Sequence, residues 1–475
     1  MLFNSLVFFG FITIIFVVYP RLQLRGQNIF LLVASYVFYG YWDWRFTFLL
    51  FTSTIVDYFV GQKIQSTDNQ RRRKLLLLAS IAVNLGILGF FKYFNFFVGS
   101  AASVLSAIGL ESHMPMLRVI LPIGISFYTF KTMTYTIDIY RKKIVPISDF
   151  VDYALFVSFF PQLLAGPIER ASNLIPQIVA PRQINRMKVL TGLNLCLIGY
   201  FKKIAIADTL APIVGKVFDA PDAMSSGQLW TGVYAYTFQI YGDFSGYTDI
   251  ARGISRILGF ETMENFNAPY LSRSITEFWR RWHISLSSWF RDYLYISLGG
   301  NRRGSVRTYA NLIITMFLCG LWHGAAWTFI LWGLLHGLYL MGHRMVMREN
   351  KADLSWPRNF TGWTKGIVKV FLTFHLVALA WILFRSSSLE SAIVYFEGLF
   401  RFQQFTGFSA SVLFAGILMI ALDLAQTWCG SHTWLTDRQD ARFLRYTVAQ
   451  MIILSAISAA IAHLGTITPF IYFQF

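Results

Sequence analysis

Two histidines of this sequence are placed where an imidazole could move a proton. His323 lies in the apolar stretch LWHGAAWTFILWGLLHG, and His283 lies in WHISLS, within a basic and aromatic segment. An imidazole ionises near a pH of about 6.5, so it can take a proton from a hydroxyl group at neutral pH. Because an unsatisfied polar group is costly inside a membrane, an ionisable residue there is a functional hypothesis. We expect both histidines to be catalytic; a core histidine with its hydrogen bonds satisfied is the alternative for His323.

The basic segment that begins at Ser274 predicts an amphipathic helix at the membrane surface. Ser274 and Glu277 have the spacing of a capping box, and apolar residues follow with the helical period. One polar row recurs every three or four residues: Thr276, Arg280, His283, Ser287 and Arg291. Guanidinium groups are suited to phosphate, so we expect Arg280, Ser287 and Arg291 to hold a nucleotide-bearing donor. Contact of these arginines with lipid phosphates is the alternative.

The composition predicts that these residues are carried by membrane helices. Of 475 residues, 55% are hydrophobic and 14% are charged, against roughly 25% charged in an average soluble domain. With about 20 apolar residues for each crossing, we expect an all-α polytopic membrane protein with roughly 10–13 transmembrane or re-entrant helices. Residues 310–330 and 448–464 are two of the predicted spans, and residues 154–166 are expected to be re-entrant or buried in protein. No linker divides the chain, so we predict one integral-membrane domain over residues 1–475.

The charge of the chain predicts contact with a membrane. The spacing of its cysteines does not predict a metal site. The net charge is +17, and the excess clusters in the short polar breaks between apolar runs. This pattern is typical of orientation by the positive-inside rule, with membrane lipids as partners and no nucleic acid. The three cysteines lack metal-ligand spacing, so we expect neither a disulfide framework nor a metal site.

Two further motifs leave more than one interpretation open. YGDFSGYTDIARG carries Asp243 and Asp249 but has neither a P-loop ending nor a preceding soluble strand, so we expect a helix end and a loop near a cavity. FFPQLLAGPIER ends in Glu169 and Arg170, which could form an ion pair at a structural turn or belong to a site. Together with His323, the two aspartates also allow a different class of function: a transporter or polysaccharide-export component that relays protons.

The sequence closely resembles the membrane-bound O-acyltransferase family, and within it the bacterial membrane proteins of alginate and peptidoglycan O-acetylation. The resemblance runs from about residue 30 to residue 475. It rests on the order and spacing of FFPQLLAGPIER, YGDFSGYTDIARGISRILGF, NFNAPYLSRSITEFWRRWHISLSSWFRDYLYISLGGNRRG, LWHGAAWTFILWGLLHG, WILFRSSSLESA and PFIYFQF. His323 matches the near-invariant catalytic histidine of the family, and His283 matches the histidine of its WHISLS-like segment.

The resemblance implies a fold, a reaction and a partner. The fold would be many helices around a tunnel-like core, with a catalytic core at residues 120–345 and the catalytic histidine deep in a passage between the two membrane faces. The reaction would move acetyl from cytoplasmic acetyl-CoA to an exported or cell-wall polysaccharide, alginate-like first and peptidoglycan next. A periplasmic partner with a serine-hydrolase-like fold would deliver the acetyl group, and the chain would lie in the bacterial inner membrane. D-alanyl or longer acyl donors stay open, because the sequence does not give the width of a tunnel.

Overall fold

The computed structural model describes residues 1–110, 117, 119–164, 166–346, 360–401, 406–429, 453, 470 and 471. Their regular structure is helical, without strands, which confirms the predicted all-α class for this part of the chain. The first ten helices are α1 (Leu6–Val18), α2 (Leu24–Gly40), α3 (Thr47–Ser66), α4 (Gln70–Leu88), α5 (Phe94–Ala107), α6 (Ile125–Tyr140), α7 (Phe150–Ser158), α8 (Phe160–Leu163), α9 (Ala171–Val179) and α10 (Arg186–Tyr200). The next nine are α11 (Thr209–Asp219), α12 (Ser226–Ile257), α13 (Ile275–Arg281), α14 (Ile284–Trp289), α15 (Gly304–His323), α16 (Trp327–Val346), α17 (Phe360–Arg385), α18 (Leu389–Leu399) and α19 (Ala410–Cys429).

Four helical stretches of the described residues are long and apolar enough to cross a membrane: Gln70–Ala107, Arg186–Asp219, Thr361–Arg385 and Ala410–Thr427. The first two each contain a π-helical turn, at Gly89–Tyr93 and Phe201–Asp208. These stretches confirm the prediction of a membrane protein, whereas the number of crossings stays a prediction. The predicted span at residues 448–464 lies outside the described residues except for residue 453, as does PFIYFQF except for Phe470 and Ile471.

The described chain divides into two compact units, and the single integral-membrane domain stays a prediction. Unit 1 consists of Met1–Leu193 and Ala251–Met263, and unit 2 consists of Asn194–Ile250 and Glu264–Phe475. Both histidines that the sequence singles out belong to unit 2. Unit 2 therefore carries the candidate site.

In unit 1, α3, α4 and α6 are joined by a buried polar network. Asp57 on α3 accepts hydrogen bonds from Ser80 Oγ at 2.5 Å and Asn84 Nδ2 at 2.7 Å, both on α4. Thr132 on α6 donates to Asn84 Oδ1 at 3.1 Å. Since buried polar groups are costly unless they are hydrogen-bonded, this network fixes which faces of the three helices meet.

The FFPQLLAGPIER segment is a buried element of unit 1. Residues 154–164 are buried, with α7 giving way to the short α8, as expected for a segment enclosed in protein. Glu169 is buried and accepts hydrogen bonds from Asn173 Nδ2 at 2.7 Å and from the backbone N–H of Met263. These contacts support the structural interpretation of this turn.

In unit 2, α15 and α16 pack backbone against backbone. A Cβ atom on Gly320 would lie 2.2 Å from the carbonyl oxygen of Phe329, and one on Gly333 would lie 2.2 Å from that of Met316. Neither position has room for a side chain, so glycine is required for this approach. The two helices thereby form a hairpin.

The single apolar span predicted at residues 310–330 is wrong. The chain is helical to His323, leaves the helix at Gly324 with extended dihedral angles (φ −158°, ψ 152°), and resumes a helix at Trp327. A Cβ atom on Gly324 would lie 2.1 Å from the ring of Phe329, which folds back over this turn. The break allows α16 to return along α15, and it leaves His323 at a helix end instead of within a span.

The loop predicted for YGDFSGYTDIARG is also wrong. The whole motif lies inside α12. A Cβ atom on Gly246 would lie 2.7 Å from the carbonyl oxygen of Gly199 on α10, so glycine is needed here for helix packing. The sequence does not distinguish a glycine in a turn from a glycine at a helix contact.

Replacing Gly333 with alanine should destabilise the protein by about 1–3 kcal/mol, because the new methyl group must push α16 away from α15. Gly342→Ala on the same helix is the matched control, since nothing lies within 4 Å of its added Cβ. We expect the control to be neutral or to gain about 0.5–1 kcal/mol. Thermal unfolding of the purified variants in detergent, followed by tryptophan fluorescence, measures both. Equal melting temperatures would contradict the close packing of the hairpin.

Candidate active site

The chain turns sharply at His283, between α13 and α14. His283 adopts a left-handed conformation (φ 44°, ψ 54°), and the side chain is fully buried. A residue other than glycine pays about 1–2 kcal/mol for this conformation. The predicted single helix with one polar row is therefore wrong, because Arg280 points to the surface while His283 and the neighbouring Trp282 are buried.

Asn265 holds the turn in place. The carbonyl oxygen of this residue accepts from the N–H of Ile284 at 2.9 Å. Its side-chain oxygen accepts from the N–H of Ser285 at 3.2 Å and from Ser285 Oγ at 2.9 Å. Asn265 is fully buried, so these bonds are shielded from water. Sequence reasoning missed this residue, because its partners follow from the turn and not from a periodic pattern.

The N-terminus of α13 confirms half of the predicted capping box. Ser274 Oγ accepts from the N–H of Glu277 at 3.2 Å. Glu277 instead accepts from the N–H of Arg273 at 3.0 Å, and it forms an ion pair with Arg281 at 2.8 Å. The Glu277 carboxylate thus neutralises Arg281, whereas Arg280 on the same helix keeps its charge unpaired by Glu277.

The turn at His283 and the end of α15 at His323 bring the two imidazoles close together. Their ring centroids lie 6.4 Å apart, and His323 is only 3% exposed. Phe244 of α12 packs edge-on against His283 with a centroid distance of 4.6 Å. We call this pair of imidazoles the two-histidine site.

Three aromatic rings contact the imidazole of His323, and we call them the aromatic wall. Their centroid distances are 4.9 Å for Trp322, 5.1 Å for Trp332 and 5.2 Å for Phe384. Trp381 stacks on Trp332 with a centroid distance of 5.6 Å. Apart from a high aromatic content, no sequence pattern predicts this arrangement, because the rings come from three helices.

A third buried histidine, His336, also contacts Trp332. Its ring centroid is 4.8 Å from that of Trp332. Trp279 Nε1 donates to His336 Nδ1 at 3.3 Å. His336 is fully buried, and its contacts are those of a core residue.

The predicted donor-binding residues line one cavity of about 480 Å³, which we call the arginine cavity. It contains Arg280, Ser287 and Arg291, and it adds a third arginine, Arg344 of α16, which sequence reasoning missed. Arg280 forms no ion pair with any residue that the structure describes. Arg291 is 62% exposed and pairs with Asp292 at 2.7 Å. Ser287 Oγ donates to the carbonyl oxygen of Trp282 at 2.9 Å, so its hydroxyl also supports the turn.

The arginine cavity lies beside the two-histidine site. Ile284, which follows His283, and Cys319, one helical turn before His323, both line it. Trp279 also lines it and contacts Trp332 of the aromatic wall, with ring centroids 5.8 Å apart. The cavity is therefore lined by residues that neighbour the two imidazoles in the chain or contact the aromatic wall.

The aspartates of α12 are held by lysines. Lys203 Nζ lies 2.6 Å from Asp243 and 2.7 Å from Asp208, and Lys202 Nζ lies 2.8 Å from Asp249. All of these side chains are buried. Removing one partner of a buried ion pair destabilises a protein more than removing one partner of an exposed pair. These contacts therefore hold α12 in place and give the aspartates a structural role.

His283 is neutral at physiological pH. It lies outside the four candidate spans, and burial lowers its pKa to about 3. A neutral imidazole carries one donor and one acceptor nitrogen, which suits proton transfer better than phosphate binding. In the part of the chain that the structure describes, no three histidine, cysteine or acidic residues are grouped to bind a metal.

The chain is similar to known proteins of one family. Residues 140–384 match the membrane-bound O-acyltransferase family. A probable alginate O-acetylase AlgI of Pseudomonas putida is 41% identical over 433 residues, 89% of this chain and 87% of that protein. A peptidoglycan O-acetyltransferase of Helicobacter pylori is 38% identical over 432 residues, 84% of this chain and 80% of that protein. A teichoic acid D-alanyltransferase of Streptococcus thermophilus is 30% identical over 284 residues, 55% of this chain and 68% of that protein.

The family match contains both imidazoles, the whole aromatic wall and the lining of the arginine cavity. The transporter alternative loses its basis, because the relatives are named as transferases and the aspartates it needs are paired with lysines. The chain belongs to the membrane-bound O-acyltransferase family and is an O-acyltransferase.

Proposed function

We propose that this O-acyltransferase moves an acetyl group from cytoplasmic acetyl-CoA to a hydroxyl group, for O-acetylation of an exported or cell-wall polysaccharide. The observation that carries the proposal is the close pair His283 and His323, buried beside a cavity with three arginines. Relatives named for alginate and peptidoglycan acetylation support the acceptor class, with alginate-like polymers first.

In this proposal His323 is the general base. Its imidazole takes the proton of the acceptor hydroxyl as the oxygen attacks the thioester carbonyl. The carbon–oxygen bond forms, the carbon–sulfur bond breaks, and the proton passes from His323 to the leaving CoA sulfur. Burial supports this role, because hydrocarbon and aromatic surroundings keep water from competing as the acceptor.

His283 positions the acceptor or assists the transfer of the proton. Its ring is neutral and packs against Phe244, and Asn265 holds the backbone turn that carries it, so the position of the imidazole is restricted before substrate binds. Pre-oriented groups do not have to be ordered during the reaction, which lowers the barrier. The fixed turn thus supports a catalytic use of an otherwise costly conformation.

Acetyl-CoA binds in the arginine cavity in this account. Its phosphates lie near Arg280 and Arg291, Ser287 contributes a hydroxyl, and the thioester reaches past Trp279 and Cys319 to His323. The positive charge of the cavity matches the phosphates of the donor. A tunnel through the chain would present the acceptor from the opposite membrane face.

A periplasmic partner with a serine-hydrolase-like fold receives the acetyl group and passes it to the polysaccharide in this proposal. A serine hydroxyl of such a partner is an acceptor that His323 can deprotonate. The chain itself lies in the bacterial inner membrane. Inverted membrane vesicles from the organism's own cells supply both the chain and its partners, so they are the system for the tests below.

Replacing His323 with alanine should lower acetyl transfer by about 10²–10⁴-fold, the contribution of a general base. The measurement is incorporation of label from radioactive acetyl-CoA into the polymer fraction of the vesicles. His336→Ala is the matched control, because it removes an equally buried imidazole that also contacts Trp332. Wild-type rates in His323→Ala would remove the proposal, and unlabelled polymer in the wild type would reject acetyl-CoA as donor.

Replacing Arg280 with alanine should raise the KM for acetyl-CoA about 10–100-fold with little change in kcat, since a charge-assisted hydrogen bond is worth about 1.5–3 kcal/mol. The effect should vanish with acetyl-pantetheine, which lacks the phosphates. Arg302→Ala is the control, since this arginine is exposed and does not line the cavity. An equal KM increase with both donors would place the phosphates elsewhere.

A further inference from the structure

Membership of the family does not give the length of the acyl group. Relatives of this chain are named for transfer of acetyl groups and of D-alanyl groups. The donor must therefore be selected by side chains close to the reacting carbonyl. The three rings of the aromatic wall contact His323 in the structure.

Further aromatic rings pack behind Phe384, which faces His323. Phe384 packs against Trp332 at a centroid distance of 5.1 Å, and Phe329 and Trp381 lie behind it at 4.8 and 5.3 Å. All four side chains are buried. Rings at these distances are in contact, and protein interiors rarely leave voids larger than a water molecule.

A reacting thioester must place its carbonyl beside His323, with the attacking oxygen about 3–3.5 Å from the carbonyl carbon. The acyl substituent then meets the aromatic wall. A methyl group adds little volume, whereas each further methylene has to displace a ring. In a hydrophobic pocket one methylene changes kcat/KM by about 10–200-fold.

We propose that the aromatic wall restricts the donor to a two-carbon acyl group, and that Phe384 is the residue that sets this limit. This inference rests on the proposed function. Phe384 lies in the last turn of α17, one residue before its end at Arg385. Its removal opens space next to His323 and leaves the glycine contact between α15 and α16 in place. Trp332, by comparison, also packs against Trp279 and His336.

The test compares acetyl-CoA, propionyl-CoA and butyryl-CoA as donors in the inverted vesicles. The chemistry is the same for each donor: the thioester carbon–sulfur bond breaks, an ester bond to the acceptor oxygen forms, and the hydroxyl proton ends on the CoA sulfur. CoA release is measured, and the rate in vesicles that carry His323→Ala is subtracted. We expect the wild type to prefer acetyl-CoA over butyryl-CoA by at least about 100-fold in kcat/KM.

Phe384→Ala should lower this preference at least 10-fold, with butyryl transfer rising in absolute terms. Phe384→Leu, a milder change, should admit propionyl-CoA and provides a second variant if the alanine protein does not fold. Phe374→Ala is the matched control: it removes the same side chain from the same helix, where the ring packs against Tyr234 and Tyr270. The control should keep the wild-type preference.

The inference fails if the wild type accepts butyryl-CoA as well as acetyl-CoA. It also fails if the Phe384 variants transfer acetyl but no more of the longer groups than the wild type does. A wild type that releases CoA from none of the three donors would instead reject the proposed function. The two failures are therefore distinguishable.

Discussion

The left-handed turn at His283 is the feature on which the site in unit 2 depends. It ends α13, starts α14, and points one imidazole into the protein while the neighbouring Arg280 stays at the surface. Asn265 compensates for the cost of the turn by three buried hydrogen bonds. Without the turn, the helical period would put the imidazole and the arginine on the same face. The turn thus separates a buried imidazole from an exposed cation within three residues.

His323, the second imidazole, is positioned by the close packing of α15 and α16. The glycines of α15 and α16 let the two backbones touch, and the chain leaves the helix immediately after His323. This hairpin carries Trp332 back to His323, where α17 adds Trp381 and Phe384. The same packing that buries the imidazole also surrounds it with rings. Catalysis and donor selection would then share one set of contacts.

The sequence predicted which residues line a common cavity better than it predicted where the helices end. The apolar runs predicted helices, and the arginines at Arg280 and Arg291 were found to line one cavity. Periodicity failed at His283 and at His323, because both lie where a helix stops and a helical wheel assumes that it continues. Gly246 was misassigned for a related reason: glycine allows turns and close helix packing alike. Asn265 and Phe384 were missed because only the folded chain brings them to the histidines.

In the proposed reaction, His283 and His323 act on one reacting group. A double-mutant cycle of His283→Ala and His323→Ala, with kcat/KM for acetyl-CoA as the readout, tests it most directly. If the imidazoles act as a unit, the double variant should lose about as much activity as His323→Ala alone, because His283 has no proton transfer left to assist. If the fold-losses in kcat/KM of the two single variants multiply in the double variant, the two histidines act independently and the proposed joint role is wrong.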